Sequence, residues 1–437
     1  MRKRRGFILI AATVALPALM AFLGLATDVG YLEWQKVHAR LAADAAAQGA
    51  GLQLLDGNGS SAVVSEGQYD ASLNGFTQGV SNTTVTVNTP PLSGPHTGNT
   101  SAVEVIVQRL VPTFFMNIVG SPAATVTARA VTVLGDNGGA GCVFAMNATV
   151  SQAFNFQGSN TAYFGCGLEV ASSSSSALYM GGTAVLEMKN NASVGVVGRA
   201  NLAGQTKILN YNTGQPLAVQ QISAPSDPLN YVQAPSPSGT LHSSATNYDM
   251  NSKPPGNTIQ PGIYCGGLTI GNTGGATFTM SKGLYYIAGG GLTINSQAIV
   301  TGTGVTIYNT SSANAGVSGC SGKSFAPITI SGQANVTLSA PTNSSGPGIE
   351  GVLIFQDRKI TSSSSTQING GSTTQLNGAI YLLHSPLLYT GTNSSGGYQI
   401  LVADTITING NSNVTINSDY SSLQDGSPIH NAAILEE

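Results

Sequence analysis

Four basic residues, Arg2, Lys3, Arg4 and Arg5, stand directly before an uncharged, largely apolar run from Gly6 to Thr27, and an amphipathic, alanine-rich stretch follows without a break. About 20 apolar residues rising about 1.5 Å each match a bilayer core of about 30 Å, and a basic cluster on the N-terminal side holds that end in the cytoplasm. The pattern predicts a cytoplasmic tail over 1–5, a transmembrane helix over 6–27, and the rest of the 437 residues outside the cytoplasm. Pro17 removes one backbone hydrogen bond from the span, which membrane helices accommodate. Small residues at Gly24-Leu25-Ala26 allow a cleavable secretory signal as the rival reading, but the run exceeds the roughly 7–15 apolar residues of such signals. A retained anchor is therefore expected.

From Asp28 to Leu55 there is no proline, and alanine, the best helix former, dominates Ala39 to Ala50. One continuous helix of forty-odd residues is expected through the span and beyond it. Its small residues, Ala42, Ala43, Ala45, Ala46, Gly49 and Ala50, would let a helix or sheet approach closely; a stable helix with no partner is the plainer alternative. After it, Ala62 to Leu73 reads as a short helix ended by Asn74-Gly75. Thr83 to Asn88, Ala102 to Val111 and Ala124 to Leu134 read as strands rich in β-branched residues. Between the last two lies the apolar stretch Val111 to Gly120.

The series from the basic cluster and Gly6-Phe7 through Gly24-Leu-Ala-Thr-Asp28-Val-Gly30-Tyr31 to Leu41-Ala-Ala-Asp44-Ala45-Ala46-Ala-Gln-Gly49-Ala50 resembles the TadE/TadG-like N-terminal domain of Flp (tight adherence) pilus-assembly proteins. Asp28 and the alanine block around Asp44 are that family's most recognisable positions, and Val111 to Gly120 resembles a patch recurrent in it. The resemblance implies a pilin-like long helix with a small α+β segment over 28–135. It also implies a bacterial inner-membrane location with the C-terminal domain periplasmic or surface-facing, and Flp/Tad pilins or assembly proteins as partners. Pilin-like proteins of this system can be cut after a glycine followed five residues later by glutamate; here the residue five after Gly6 is Ala11, which favours an anchor that stays attached.

From Asp136 onward the composition shifts. Only eight Lys and Arg face twelve Asp and Glu in some three hundred residues, and Gly, Ser, Thr and Asn fill the space. Low charge of this kind usually signals disorder, but apolar residues recur in short alternating runs, which disordered chains lack. Leu268-Thr-Ile, Leu292-Thr-Ile, Ile328-Thr-Ile, Ile406-Thr-Ile and Val414-Thr-Ile are five copies of one unit, with Phe154-Asn-Phe a looser sixth. Leu268 and Leu292 lie 24 residues apart, one coil of a β-solenoid, and longer gaps hold Ser/Gly-rich inserts. Stacked coils build a continuous apolar core that no single coil can. The expected fold over 136–437 is all-β, a right-handed parallel β-helix (β-solenoid), with a β-sandwich as the alternative. Residues 142–165 and the polar tail Asn417 to Glu437 are expected to cap its two ends against edge pairing.

Cys142, Cys166, Cys265 and Cys320 all fall in this low-charge region, as suits an oxidising compartment. Four cysteines allow three connectivities; the pairs Cys142–Cys166, about one coil apart, and Cys265–Cys320 are the expected ones. Zinc sites favour close pairs such as C-x2-C, and no two of these cysteines are nearer than 24 residues, so no metal is expected. No nucleophile elbow, zinc-protease helix motif or Walker loop is present. The nearest matches to a D-x-S-x-S metal motif, Asp70-Ala-Ser-Leu-Asn and Asp419-Tyr-Ser-Ser-Leu, lack the last serine. No enzymatic activity and no cofactor are expected.

The one candidate for chemistry is Glu350, Asp357, Arg358, Lys359 and Asp404, which on neighbouring coils would make a site for binding or cleaving polysaccharide or for holding calcium; a structural salt bridge is the plainer reading. Tyr264, Tyr285, Tyr286, Tyr381 and Tyr389, if exposed, would stack on sugar rings. The deficit of basic residues excludes a nucleic-acid partner. The reading is a non-enzymatic, membrane-anchored component of Flp/Tad pilus assembly or adhesion carrying a scaffold or adhesive solenoid. The alternative is a membrane-tethered β-helix protein that binds or cleaves polysaccharide.

Overall fold

The computed structural model describes residues 5–135, 141–190, 192–249, 251–271, 277–394, 396–410, 414–424, 426–430 and 432–436. Arg2, Lys3 and Arg4 lie outside the described residues. The chain falls into two units, one of Met1–Gly135, Asn230–Val232 and His430–Glu437, the other of Asp136–Leu229 and Gln233–Ile429.

In the first unit, α1 (Arg5–Leu55) is a single 51-residue helix running through Pro17. It is long and apolar enough to cross a membrane. Ala39, Ala42, Ala43, Ala46, Ala47 and Ala50 recur at helical spacing, so they form one stripe, and all are buried. That stripe meets α2 (Ser60–Leu73) and the antiparallel strands β1 (Thr83–Asn88), β2 (Ala102–Pro112) and β3 (Ala123–Gly135). The close approach expected of the small residues thus takes place within the chain. It depends on glycine where the helices touch: a Cβ on Gly67 of α2 would stand 2.9 Å from Val87 Cγ2 and 3.4 Å from the Ala50 Cβ. The sheet buries its alternate residues, Val103, Val105 and Val107 among them.

The sheet has a fourth strand absent from the sequence reading. Ala432–Leu435 pairs antiparallel with β3, Gly135 opposite Ala432. Of the tail Asn417–Glu437 expected as a cap, residues 430–437 therefore belong to the first unit, while 417–429 stay with the solenoid. The Ala-Ala-Ile-Leu sequence of the fourth strand satisfies the open hydrogen-bonding edge of β3.

The second unit is a parallel β-solenoid with three strands in a full coil, for example Gly262–Cys265, Leu268–Ile270 and Thr277–Met280. All its ladder pairings between coils are parallel, which excludes the β-sandwich. The repeat unit is real: Leu268 stands opposite Leu292 and Ile270 opposite Ile294, Thr293 opposite Thr329, and Ile406-Thr-Ile opposite Phe154-Asn-Phe across 252 residues. Val414-Thr-Ile departs from the pattern. It pairs with Ala162–Phe164 and forms the third strand of the coil that Gln399–Ala403 opens and Ile406–Gly410 continues.

Coil order in space differs from coil order in sequence. The first coil, which opens with Gly141–Ala145, is flanked by Gly167–Val170 of the second and by Gln399–Ala403 of the last. Residues 142–165, expected as a cap, therefore lie inside the stack. Its outer strands are Val219–Gln221 at one end and Thr240–His242 at the other. Ten pairings separate them, about 48 Å at about 4.8 Å per strand. Residues 222–239 must join the two, and eighteen extended residues reach about 60 Å. Pro225, Pro228, Pro235 and Pro237 keep that connection from folding into a ladder of its own.

Candidate functional site

Two segments 86–88 residues apart in the chain meet in the first unit. Asp28 is 1% exposed and accepts hydrogen bonds from the backbone N–H groups of Phe114 (3.0 Å), Phe115 (2.8 Å) and Met116 (2.6 Å). These donors open the 3-10 turn Met116–Val119, whose first N–H groups have no partner within the turn. A carboxylate there satisfies them and fixes the turn against α1. Gly24, one helical turn earlier, completes the seat, since a Cβ on it would lie 2.5 Å from Phe115 Cγ. Tyr31 closes the other side, its ring 5.7 Å from that of Phe114 and 5.9 Å from that of Trp34.

The other motif positions divide by role. Gly6 lies in the first turns of α1, and Gly30 faces open space. Ala46 is buried in the alanine stripe, and Asp44 and Ala45 are half-buried at its margin. Gly49 is a contact point: a Cβ on it would collide with the Asp70 carboxylate of α2. Burial raises the pKa of that Asp70 carboxyl. On the opposite side of α1, Trp34, Val37 and Leu41 form an apolar stripe at i, i+3, i+7, each more than half exposed. Glu33, Lys36 and Arg40 flank it, also exposed. Heptad-like spacing with flanking charges is the pattern by which one helix packs on another; three residues over two turns, in a helix whose alanines offer a longer apolar face, give it little signal in the sequence alone.

The sheet beside this helix is pinned by one buried charge. Glu104 in β2 accepts from Arg129 Nε (2.7 Å), Asn88 Nδ2 (2.7 Å), Ser93 Oγ and the Leu92 N–H (3.2 Å). Burial by itself would raise its pKa; the donors Ser93, Arg129, Asn88 and Leu92 outweigh burial and hold it at about 2.

In the solenoid, Asp357 and Asp404 lie two residues past Phe355 and Val402, positions aligned through Tyr381 and two coils apart on one edge of the stack, while Glu350 lies at the other end of its strand. Glu350 and Asp357 flank the strand Val352–Gln356 at its opposite ends, seven residues and roughly 23 Å of extended chain apart. Asp357 is buried, accepting from Thr310 Oγ1 (2.6 Å) and the Lys359 N–H (2.9 Å). Glu350 accepts from the Gln424 N–H (3.0 Å), and Asp404 from Asn147 Nδ2 (3.0 and 3.2 Å). Lys359 is exposed. Arg358 donates to the Tyr381 hydroxyl (2.7 Å) and the Leu229 carbonyl (2.6 Å), while Tyr381 donates to Asp227 (2.6 Å). These bonds fasten the long connection to the side of the stack.

The tyrosines offered as sugar platforms, Tyr264, Tyr285, Tyr286, Tyr381 and Tyr389, are all buried. Neighbouring coils place aromatic residues in register, so Tyr286, Tyr308, Phe355 and Tyr381 make a ladder with ring spacings of 4.9, 5.7 and 4.7 Å. Their rings cover one another instead of waiting for a ligand.

The cysteines pair as Cys142–Cys166 and Cys265–Cys320, with Cα separations of 5.6 and 5.5 Å, within bridging range. The first joins adjacent coils, and the second ties the insert after Val305–Thr310 back to the strand Gly262–Cys265. Among the described residues no three His, Cys, Asp or Glu side chains are grouped to hold a metal.

Residues 26–131 match the family model described as "Putative Tad-like Flp pilus-assembly". The matched segment begins two residues before Asp28 and ends within β3, so it contains α1 beyond the apolar run, the Asp28-bound turn and Glu104. No curated protein and no solved structure matches the chain.

Proposed function

We propose that this is a single-pass inner-membrane component of the Flp/Tad pilus-assembly apparatus, with its N-terminus in the cytoplasm and its solenoid on the far side. The observation that carries this reading is the family match over residues 26–131, the part of the chain that also bears the exposed stripe Trp34, Val37 and Leu41. That stripe binds an apolar helix of a pilin-like or assembly partner. Burial of three such side chains is worth several kcal/mol, at about 1.5–3 kcal/mol for each fully covered. The basic cluster sets orientation.

The solenoid acts without catalysis, as a scaffold or adhesive surface. Three features support this role. The Asp357 carboxylate and the Arg358 guanidinium are committed to bonds within the fold; two disulfides brace it; and a stack of coils presents long regular faces suited to extended contacts.

The test is a pull-down of the tagged full chain from membranes of its native host, comparing wild type with Val37→Glu/Leu41→Glu. Recovery of Tad or Flp components with wild type and their loss with the double variant is the expected result. Equal recovery from both removes the stripe as the docking face. Recovery of capsular or cell-wall polysaccharide alone favours the carbohydrate alternative.

A further inference from the structure

We infer that the Asp28-bound turn is a second membrane contact, inserting Phe114, Phe115 and Ile118 into the outer leaflet of the same bilayer that α1 crosses. The inference rests on the anchor reading of α1. Phe114, Phe115 and Ile118 are 61%, 47% and 81% exposed, a concentration of large apolar side chains that a water-facing turn does not keep without an occupant. No charged residue occurs between Arg109 and Arg129, so the loop brings no full charge out of water.

Position along α1 says what the occupant is. Phe115 packs on Gly24, inside the apolar run that ends at Thr27. Gly24 lies four residues on the membrane side of Asp28, about 6 Å at about 1.5 Å per residue. That is the depth, about 5–10 Å, to which interfacial elements bury their apolar faces. Next to the turn, α1 itself exposes Phe22, Leu23 and Leu25, so the apolar surface is continuous from helix to turn. Just beyond Asp28 come Tyr31 and Trp34, the residue types that gather at the headgroup level.

Asp28 makes this depth possible. In hydrocarbon an unpartnered N–H costs several kcal/mol, and the three amides that open the turn are all satisfied by the one carboxylate. The turn can enter the leaflet because these three backbone donors have been taken from water in advance. Lipid acyl chain, and not a protein groove, is the chemistry that fits a surface continuous with a transmembrane run.

The test uses the full chain reconstituted in phosphatidylcholine and phosphatidylglycerol vesicles, its four native cysteines left in their disulfides. A single environment-sensitive fluorophore is placed at Ile118→Cys, at Leu19→Cys within the span, or at Thr97→Cys in an exposed loop. Each is challenged with doxyl-labelled lipid and with aqueous iodide. The expected result is that labels at 19 and 118 lose emission to doxyl lipid and little to iodide, with the reverse at 97. A label at 118 quenched by iodide while that at 19 is quenched by lipid overturns the inference and leaves the anchor standing. Failure of lipid to quench either position overturns the anchor and the inference together. A further variant, Asp28→Asn, retains the size of the side chain but weakens its acceptance of the three amides, and is expected to shift the label at 118 toward iodide while leaving that at 19 unchanged.

Discussion

At the scale of residues, single polar groups fix the geometry of the first unit. Glu104 is held at about 2 by its donors, whereas an unfolded glutamate titrates at about 4.3. A depressed carboxyl stabilises the fold fully above the unfolded value, and that contribution fades as pH falls from about 4.3 toward about 2. Urea unfolding of the first unit is therefore expected to weaken across that window in wild type and to lose this component in Glu104→Gln. Glu104→Ala, which leaves Ser93, Asn88, Leu92 and Arg129 without their acceptor, is expected to cost about 3 kcal/mol. Gly67→Leu would press α2 away from β1 at Val87 and from α1 at Ala50 and cost about 1–3 kcal/mol, read as a lower unfolding midpoint. Asp28 and the alanine block were recognisable in the sequence as positions of a family pattern. Their tasks were not, because the amides bound by Asp28 lie 86–88 residues away and no local periodicity reports such a contact.

Elements follow local rules where their hydrogen bonds are local and depart from them where the partner is distant. The short helix, the three antiparallel strands and the Leu268–Leu292 spacing were all legible, since capping glycine, β-branched alternation and repeat length are local signals. Two features were hidden. Ala432–Leu435 is only four residues long, and its pairing with β3 spans some three hundred residues. The place of the first coil, between the second and the last, follows from closure of the stack and not from any motif. The connection 222–239 is the consequence most open to experiment. Arg358→Ala removes its bonds to Leu229 and Tyr381, so limited proteolysis is expected to cut within 222–239 faster in the variant than in wild type, with the solenoid strands still protected. Equal rates would mean that these bonds do not hold the connection.

At the scale of the whole molecule, the chain combines an apolar helix with a family-matched unit and a long, weakly charged solenoid braced by disulfides. Loss of the Cys142–Cys166 bridge by paired substitution to serine is expected to lower solenoid stability by about 2–4 kcal/mol, visible as a drop in its thermal midpoint under oxidising conditions and no change after reduction. Low charge had pointed to disorder as readily as to a solenoid, and the alternating runs decided between them because they alone imply a buried face. What the exposed surfaces bind is the central question, and α1 offers the most specific answer. A photo-crosslinking amino acid at Val37, on the exposed stripe, should give an adduct with a Flp or Tad component in native cells, while the same group at Ala43, on the buried stripe, should give none. Absence of any such adduct at Val37, with the protein folded and in the membrane, would contradict the account.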